Sequence, residues 1–156
     1  MNAKSDFDRK TVDGPVRDII GYGTNPPKVT WPDNANVAVN IVVNYEEGSE
    51  YSHAAGDGRN DGLGEVDSPV PSNQRDLAME SMYEYGSRAG IWRLLRLFTE
   101  CEINVTMFGC AVAFERNLEV AKYARDAGHD LLSHGYRWEE HWRLFRKEER
   151  EHIRMA

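Results

Sequence analysis

Cysteine is scarce in this 156-residue chain: Cys101 and Cys110 are the only two, and they form no CxxC pair. That excludes a disulfide-stapled scaffold and a thiolate zinc finger, and both positions read as free, buried or half-buried thiols. Long apolar runs are missing too. With no stretch of about 18 or more apolar residues, no transmembrane helix is expected. The first residues, Met1 to Asp8, contain no apolar segment of the secretory type, so a cytoplasmic protein is the expectation. Positive charge is in short supply. Lys and Arg number 19 against 26 Asp and Glu, a formal charge of −7, so neither nucleic acid nor an anionic membrane is an expected partner.

What is present is an alternation of apolar runs and helical stripes. Residues 1–35 are polar, hold Pro15, Pro26, Pro27 and Pro32, and read as a tail and wrapping segment with a turn at Trp31–Asn34. Residues 36–156 read as one domain. Its first feature is the β-branched run Asn36 to Asn44, followed at once by Tyr45, Glu46, Glu47 and Gly48. An apolar run of this kind suits a strand covered on both faces. The two carboxylates must then mark its C-terminal exit, where parallel α/β folds place their chemistry. A solubilising loop start fits residues 36–48 equally well.

Ser49 to Leu77 is longer than most connections in compact domains, which rarely exceed about 15 residues, and reads as a substrate-facing loop or a disordered one. Ile91, Leu94, Leu95 and Phe98 form a helical stripe with Arg93 and Arg96 on its wet side, and Gly86 to Gly90 interrupts that helix. A second strand is expected at Ile103–Gly109. Asn117 then caps a helix that stops at Gly128. Asp130–Ser133 gives a third strand running into His134, and Trp138–Ala156 reads as one helix. Glu139 and Glu140 would lie in its first turn, and Leu144, Phe145 and Ile153 on its apolar face. Strand–helix alternation of this kind predicts parallel strands joined by right-handed crossovers, with Glu46, Glu47 and His134 along one rim.

Two carboxylates and an imidazole on one rim are the parts of a general acid–base hydrolase. A histidine that merely caps a strand end is the alternative for His134. Glu47, His134 and His141 are metal-ligand types, but no recognised ligand spacing joins them. Tyr136, Trp138 and Trp142 offer an aromatic wall for a flat substrate, with Trp142 equally suited to a core; His53 and His152 are expected to be exposed.

Taken together, several motifs resemble the polysaccharide deacetylase (NodB-homology) superfamily and its allantoinase-like branch, over residues 36–141. They are Asn44-Tyr45-Glu46-Glu47-Gly48, Tyr83 to Gly90, Val105 to Gly109, Glu115-Arg116-Asn117, Ala127 to Asp130, and Ser133-His134-Gly135-Tyr136-Arg137-Trp138. The resemblance implies an α/β fold, a deformed (β/α) barrel, and hydrolysis of a carbon–nitrogen amide bond. It implies metal-independent opening of the hydantoin ring of allantoin in purine catabolism, or deacetylation of an N-acetylated, chitin-type glycan.

By position, Glu46 is implied as the base, Glu47 as the former metal-ligand position, and His134 as the first of two histidines. Trp138 stands where the second would be, which implies no cofactor; the alternative is a divalent metal such as zinc at Glu47 and His134. Tyr45, Tyr136 and Trp138 are the expected contacts to a small cyclic amide, and backbone N–H groups near Gly135 the expected oxyanion donors. A complete barrel takes about 250 residues, so the chain reads as a truncated frame holding the N-terminal half. A half-barrel exposes a strand edge, from which a homo-oligomer, or an inactive fragment acting as a binding module, is expected.

Overall fold

The computed structural model describes residues 16–62 and 68–156. The backbone divides into a unit ending at Val39 and a second spanning Asn40–Ala156. In the first, the Asp18 carboxylate accepts the N–H groups of Ile20 and Gly21 at 3.0 Å each, and Pro32–Asn34 forms one 3-10 turn, where the sequence predicts a turn.

The second unit is built on three short parallel strands, β1 (Val42–Tyr45), β2 (Thr106–Gly109) and β3 (Asp130–Ser133), in the order β1-β2-β3. Val42 pairs with Thr106 and Tyr45 with Gly109; Thr106 pairs with Asp130 and Gly109 with Ser133. The three strands therefore end level, and the residues that follow them emerge side by side. β1 is shorter than its apolar run because the ladder extends only as far as its partner. The Ile41 carbonyl still accepts from Thr106 N–H at 2.9 Å, and the chain before it has left the sheet.

The crossover from β1 to β2 carries α1 (Leu77–Tyr85) and α2 (Ile91–Glu100), joined by a wide π turn at Gly86–Gly90. The expected interruption is thus an under-wound turn within a continuous helical path. Asp76 caps α1 by accepting Met79 N–H at 3.0 Å. From α2, Ile91, Leu95 and Phe98 enter the core, while Leu94 stays 40% exposed at its margin and Arg93 and Arg96 face water.

The crossover from β2 to β3 carries α3 (Ala111–Arg116) and α4 (Leu118–Asp126). Gly128, at φ +77°, ends α4 as predicted. His129 N–H returns to Ala124 O at 2.9 Å, which only a left-handed residue at 128 permits. Asn117 holds the N-cap position without capping: its amide reaches the Ser87 hydroxyl at 3.3 Å instead. The core gathers Tyr45, Leu95, Met107, Val120 and Ala124, each 1% exposed or less. β3 is different, with all four residues exposed, Leu131 at 47% and Leu132 at 52%.

The C-terminal stretch departs from expectation. Residues 138–145 are irregular apart from a 3-10 turn at His141–Arg143, and α5 spans only Arg146–Met155. Glu139 lies 2.7 Å from His152 Nδ1 and Glu140 forms ion pairs with Arg59 and Arg143, so Glu148 and Glu149 occupy the first turn instead. Phe145 is 59% exposed and Ile153 72%, so the expected apolar face is not buried. Cys110 is buried and Cys101 exposed. Among the described residues, no helix is long and apolar enough to cross a membrane.

Candidate active site

Because the strands end level, the residues leaving β1 and β3 meet over the end of β2. Glu46 Oε1 lies 2.6 Å from His134 Nε2. Both side chains are reachable from solvent, 18% and 27% exposed respectively. His134 N–H is held by Gly109 O at 2.9 Å, and its ring lies flat on Phe108, centroids 4.0 Å apart and planes 11° from parallel. The imidazole therefore has one face covered and one nitrogen committed to Glu46. Such a pair can pass a proton between carboxylate and imidazole while leaving the second carboxylate oxygen for a water molecule.

Glu47 turns the other way. Its Oε2 accepts Glu46 N–H at 3.2 Å, and its carboxyl packs on Gly86 of the π turn, where any Cβ would collide with it. Burial, reinforced by the neighbouring charge of Glu46, raises its pKa despite the backbone N–H bonds that oppose the shift. Glu50 is likewise raised, by burial first, although Gly48 N–H and the Arg116 charge pull the other way. Tyr83 lies close to Asp61, Glu50, Glu46 and Glu47, and burial together with their charges pushes its phenol far up. The acids leaving β1 thus share one small region.

The remaining predicted residues divide. Tyr45 is 1% exposed, packs its ring 5.3 Å from Phe114, and places its hydroxyl 3.0 Å from Ser87. It supports the acid pair from below and has no surface to offer a substrate. Trp138 is half-buried against the core, and Tyr136 is half-buried with its ring 5.1 Å from that of His152. Gly135 N–H, an expected oxyanion donor, is turned onto Ser133 Oγ at 3.2 Å. His53 is half-buried, with Nε2 2.9 Å from the Ser72 carbonyl.

Glu47 and His134 have separate partners, Trp138 offers no ligand atom, and among the described residues no three His, Cys, Asp or Glu side chains converge on one point. Sequence reasoning overlooked Phe108, Gly86 and Arg137. Arg137 lay in plain view inside the 133–138 motif, but its partners belong to the loop after β1.

Three comparisons bear on this geometry. The polysaccharide deacetylase family model matches residues 72–156, more than half of the chain. The chain belongs to the polysaccharide deacetylase family. A Schizosaccharomyces pombe protein whose name assigns it provisionally to that family is 37% identical over 145 residues, covering 90% of this chain and 45% of the relative. The crystal structure of Puue allantoinase superposes with a TM-score of 0.80 at 45% identity, over 91% of this chain and 47% of that one. A probable polysaccharide deacetylase from Pseudomonas aeruginosa PAO1 gives a TM-score of 0.79 at 45% identity, over 88% and 46%. The chain therefore spans about half the length of the relatives it matches. Its α/β repeat is part of the deacetylase-type deformed barrel, as its sequence predicts.

Proposed function

We propose that the chain carries the acid–base half of a hydrolase site that cleaves a carbon–nitrogen bond without a metal, and that its substrate is the hydantoin ring of allantoin. The observation that carries this reading is the 2.6 Å pair of Glu46 and His134 at the rim, and the family resemblance implies a second ligand position where Trp138 stands. Likeness to an allantoinase at 45% identity supports the substrate.

In this mechanism Glu46 takes a proton from water as the oxygen attacks the ring carbonyl carbon. The tetrahedral intermediate collapses with cleavage of the carbon–nitrogen bond, and the leaving nitrogen receives a proton through His134. One water is consumed and allantoate is the product. Glu47, with its raised pKa, steadies Glu46 through the Glu46 N–H contact and accommodates a shared proton. Tyr136 and Trp138 flank the substrate. The experiment is allantoin turnover by the purified chain in the presence of a strong chelator. Chelator-resistant turnover that disappears in Glu46→Gln supports the reading; a rate restored only by added zinc overturns its metal-free part.

Deacetylation of an N-acetylated glycan is the second reading. It is favoured by the equal 45% identity to the Pseudomonas aeruginosa protein and by the name of the Schizosaccharomyces pombe relative. Acetate released from chitin oligomers, with no turnover of allantoin, would select it.

A further inference from the structure

The strands that supply Glu46 and His134 do not pair with each other, since β2 lies between them. Ladder hydrogen bonds fix β1 to β2 and β2 to β3, but the spacing of the two loops beyond the strand ends needs its own tie. Arg137, three residues after His134, makes it. Its Nε donates to Ser49 O at 3.1 Å and its Nη2 to Glu50 O at 2.9 Å. The same guanidinium forks onto both oxygens of Asp57, at 2.8 Å through Nη1. Arg137 and Asp57 are only 19% and 13% exposed, so solvent screens the fork weakly.

The tie leads back to the acid. Ser49 sends its N–H to Glu46 O at 2.8 Å and its hydroxyl to the same carbonyl. Tyr51, under the Arg59 guanidinium at 3.7 Å, also lies 5.3 Å from that of Arg137, which packs the loop against the clamp. On the other side, the carbonyls of Gly135 and Tyr136 accept Ala111 and Val112 N–H at 3.0 Å each. One planar cation thus joins the peptide after Glu46 to the peptide after His134. A lysine cannot reproduce this, because a single ammonium does not present donors in the fixed fork that two carbonyls and a carboxylate require.

We propose that Arg137 is a positioning residue that sets the separation of Glu46 and His134, acting through Ser49 and Asp57 and touching no reacting atom. The proposal rests on the reading of Glu46 and His134 as the hydrolytic pair. Displacement of such a pair by about 1 Å lowers turnover on the order of 100-fold while substrate binding, made elsewhere, persists.

The test uses the full 156-residue chain as wild type, Arg137→Lys, Arg137→Ala and Asp57→Asn, with exposed Arg88→Lys as the control. Arg137→Lys is expected to lower kcat for allantoin by about 10–100-fold with KM within about 3-fold. Methylguanidinium restores part of the rate to Arg137→Ala. The ring-nitrogen resonance of His134, set by the Glu46 carboxylate 2.6 Å away, shifts in Arg137→Lys and shifts less in Asp57→Asn, and Ser49 N–H exchanges about 10-fold faster or more. An unchanged His134 resonance in a folded Arg137→Lys overturns the proposal whatever the rate, as does an unchanged kcat. Should Arg137→Lys not fold, the same two readouts on Asp57→Asn decide. A wild type inert towards allantoin and acetylated glycans ends the hydrolytic reading alone, and the His134 resonance still decides the clamp.

Discussion

Glu46 and His134 follow strands that do not pair with each other, and yet their side chains meet at 2.6 Å over the end of the strand between them. The contact exists because β1, β2 and β3 end in register, with Tyr45 O accepting Cys110 N–H just before Glu46 and Gly109 O accepting His134 N–H. Replacing either partner removes one end of the proton path. Glu46→Gln and His134→Ala are each expected to lower turnover by about 10²–10⁴-fold, with the far-ultraviolet spectrum unchanged. Full activity in both variants would remove the pair from the mechanism.

Gly86→Ala tests the packing beneath the acids. The added methyl meets the Glu47 carboxylate, which burial and the Glu46 N–H hold in place. Overpacking of this kind costs about 1–3 kcal/mol. Urea denaturation of Gly86→Ala, Glu47→Ala and the double variant should show a coupling of about 0.5–3 kcal/mol, since truncating Glu47 makes room for the methyl. Strict additivity would place the two groups out of contact.

Glu50 gives a pH dependence of defined sign. Its pKa in the fold is raised, chiefly by burial, above its value in the unfolded chain of about 4.3. Its contribution is therefore fully present below about pH 4 and is lost as pH rises through the folded value. Glu50→Gln should accordingly be more stable than wild type at about pH 7.5, and the gap should close near pH 4. Urea midpoints at the two pH values check this, and a gap of the opposite sign would contradict it.

Asp57 runs the other way. Burial works to raise its pKa, but the Arg137 fork, the Ser52 N–H and the charges of Arg137 and Arg59 outweigh burial and hold it below the usual range. The stability it supplies is present above its unfolded value of about 3.9 and lost as pH falls through the folded one. Wild type should exceed Asp57→Asn at neutral pH, and the margin should shrink on acidification below about pH 4. A margin independent of pH would mean that the carboxylate charge plays no part in the clamp.

Periodic features were readable from the sequence. The stripe of Ile91, Leu95 and Phe98, the exit of Glu46 and Glu47 from β1 and the left-handed stop at Gly128 each follow from local chemistry, and the structure has all of them. So is the parallel order, since alternating strands and helices leave few other arrangements. What escaped depends on contacts between distant segments. Glu139 and Glu140 look like the first turn of a helix until His152, Arg59 and Arg143 claim them. Asn117 looks like a cap until Ser87 takes its amide. Tyr45 sits beside the acids in sequence, but strand alternation sends its ring into the core. Arg137 could be seen, but its three partners lie in a loop whose path no local pattern reveals.

The π turn at Gly86–Gly90 makes the rim sensitive to the length of the helical path. Its i→i+5 bonding places one more residue in the turn than the α-helix on either side holds. Losing one residue there would close the wide turn into plain α-helix and change which residue faces Glu47, where only a glycine fits. In-frame insertions and deletions within these five codons would therefore register at the sheet rim, as a displaced carboxylate, while both helices kept their length and composition.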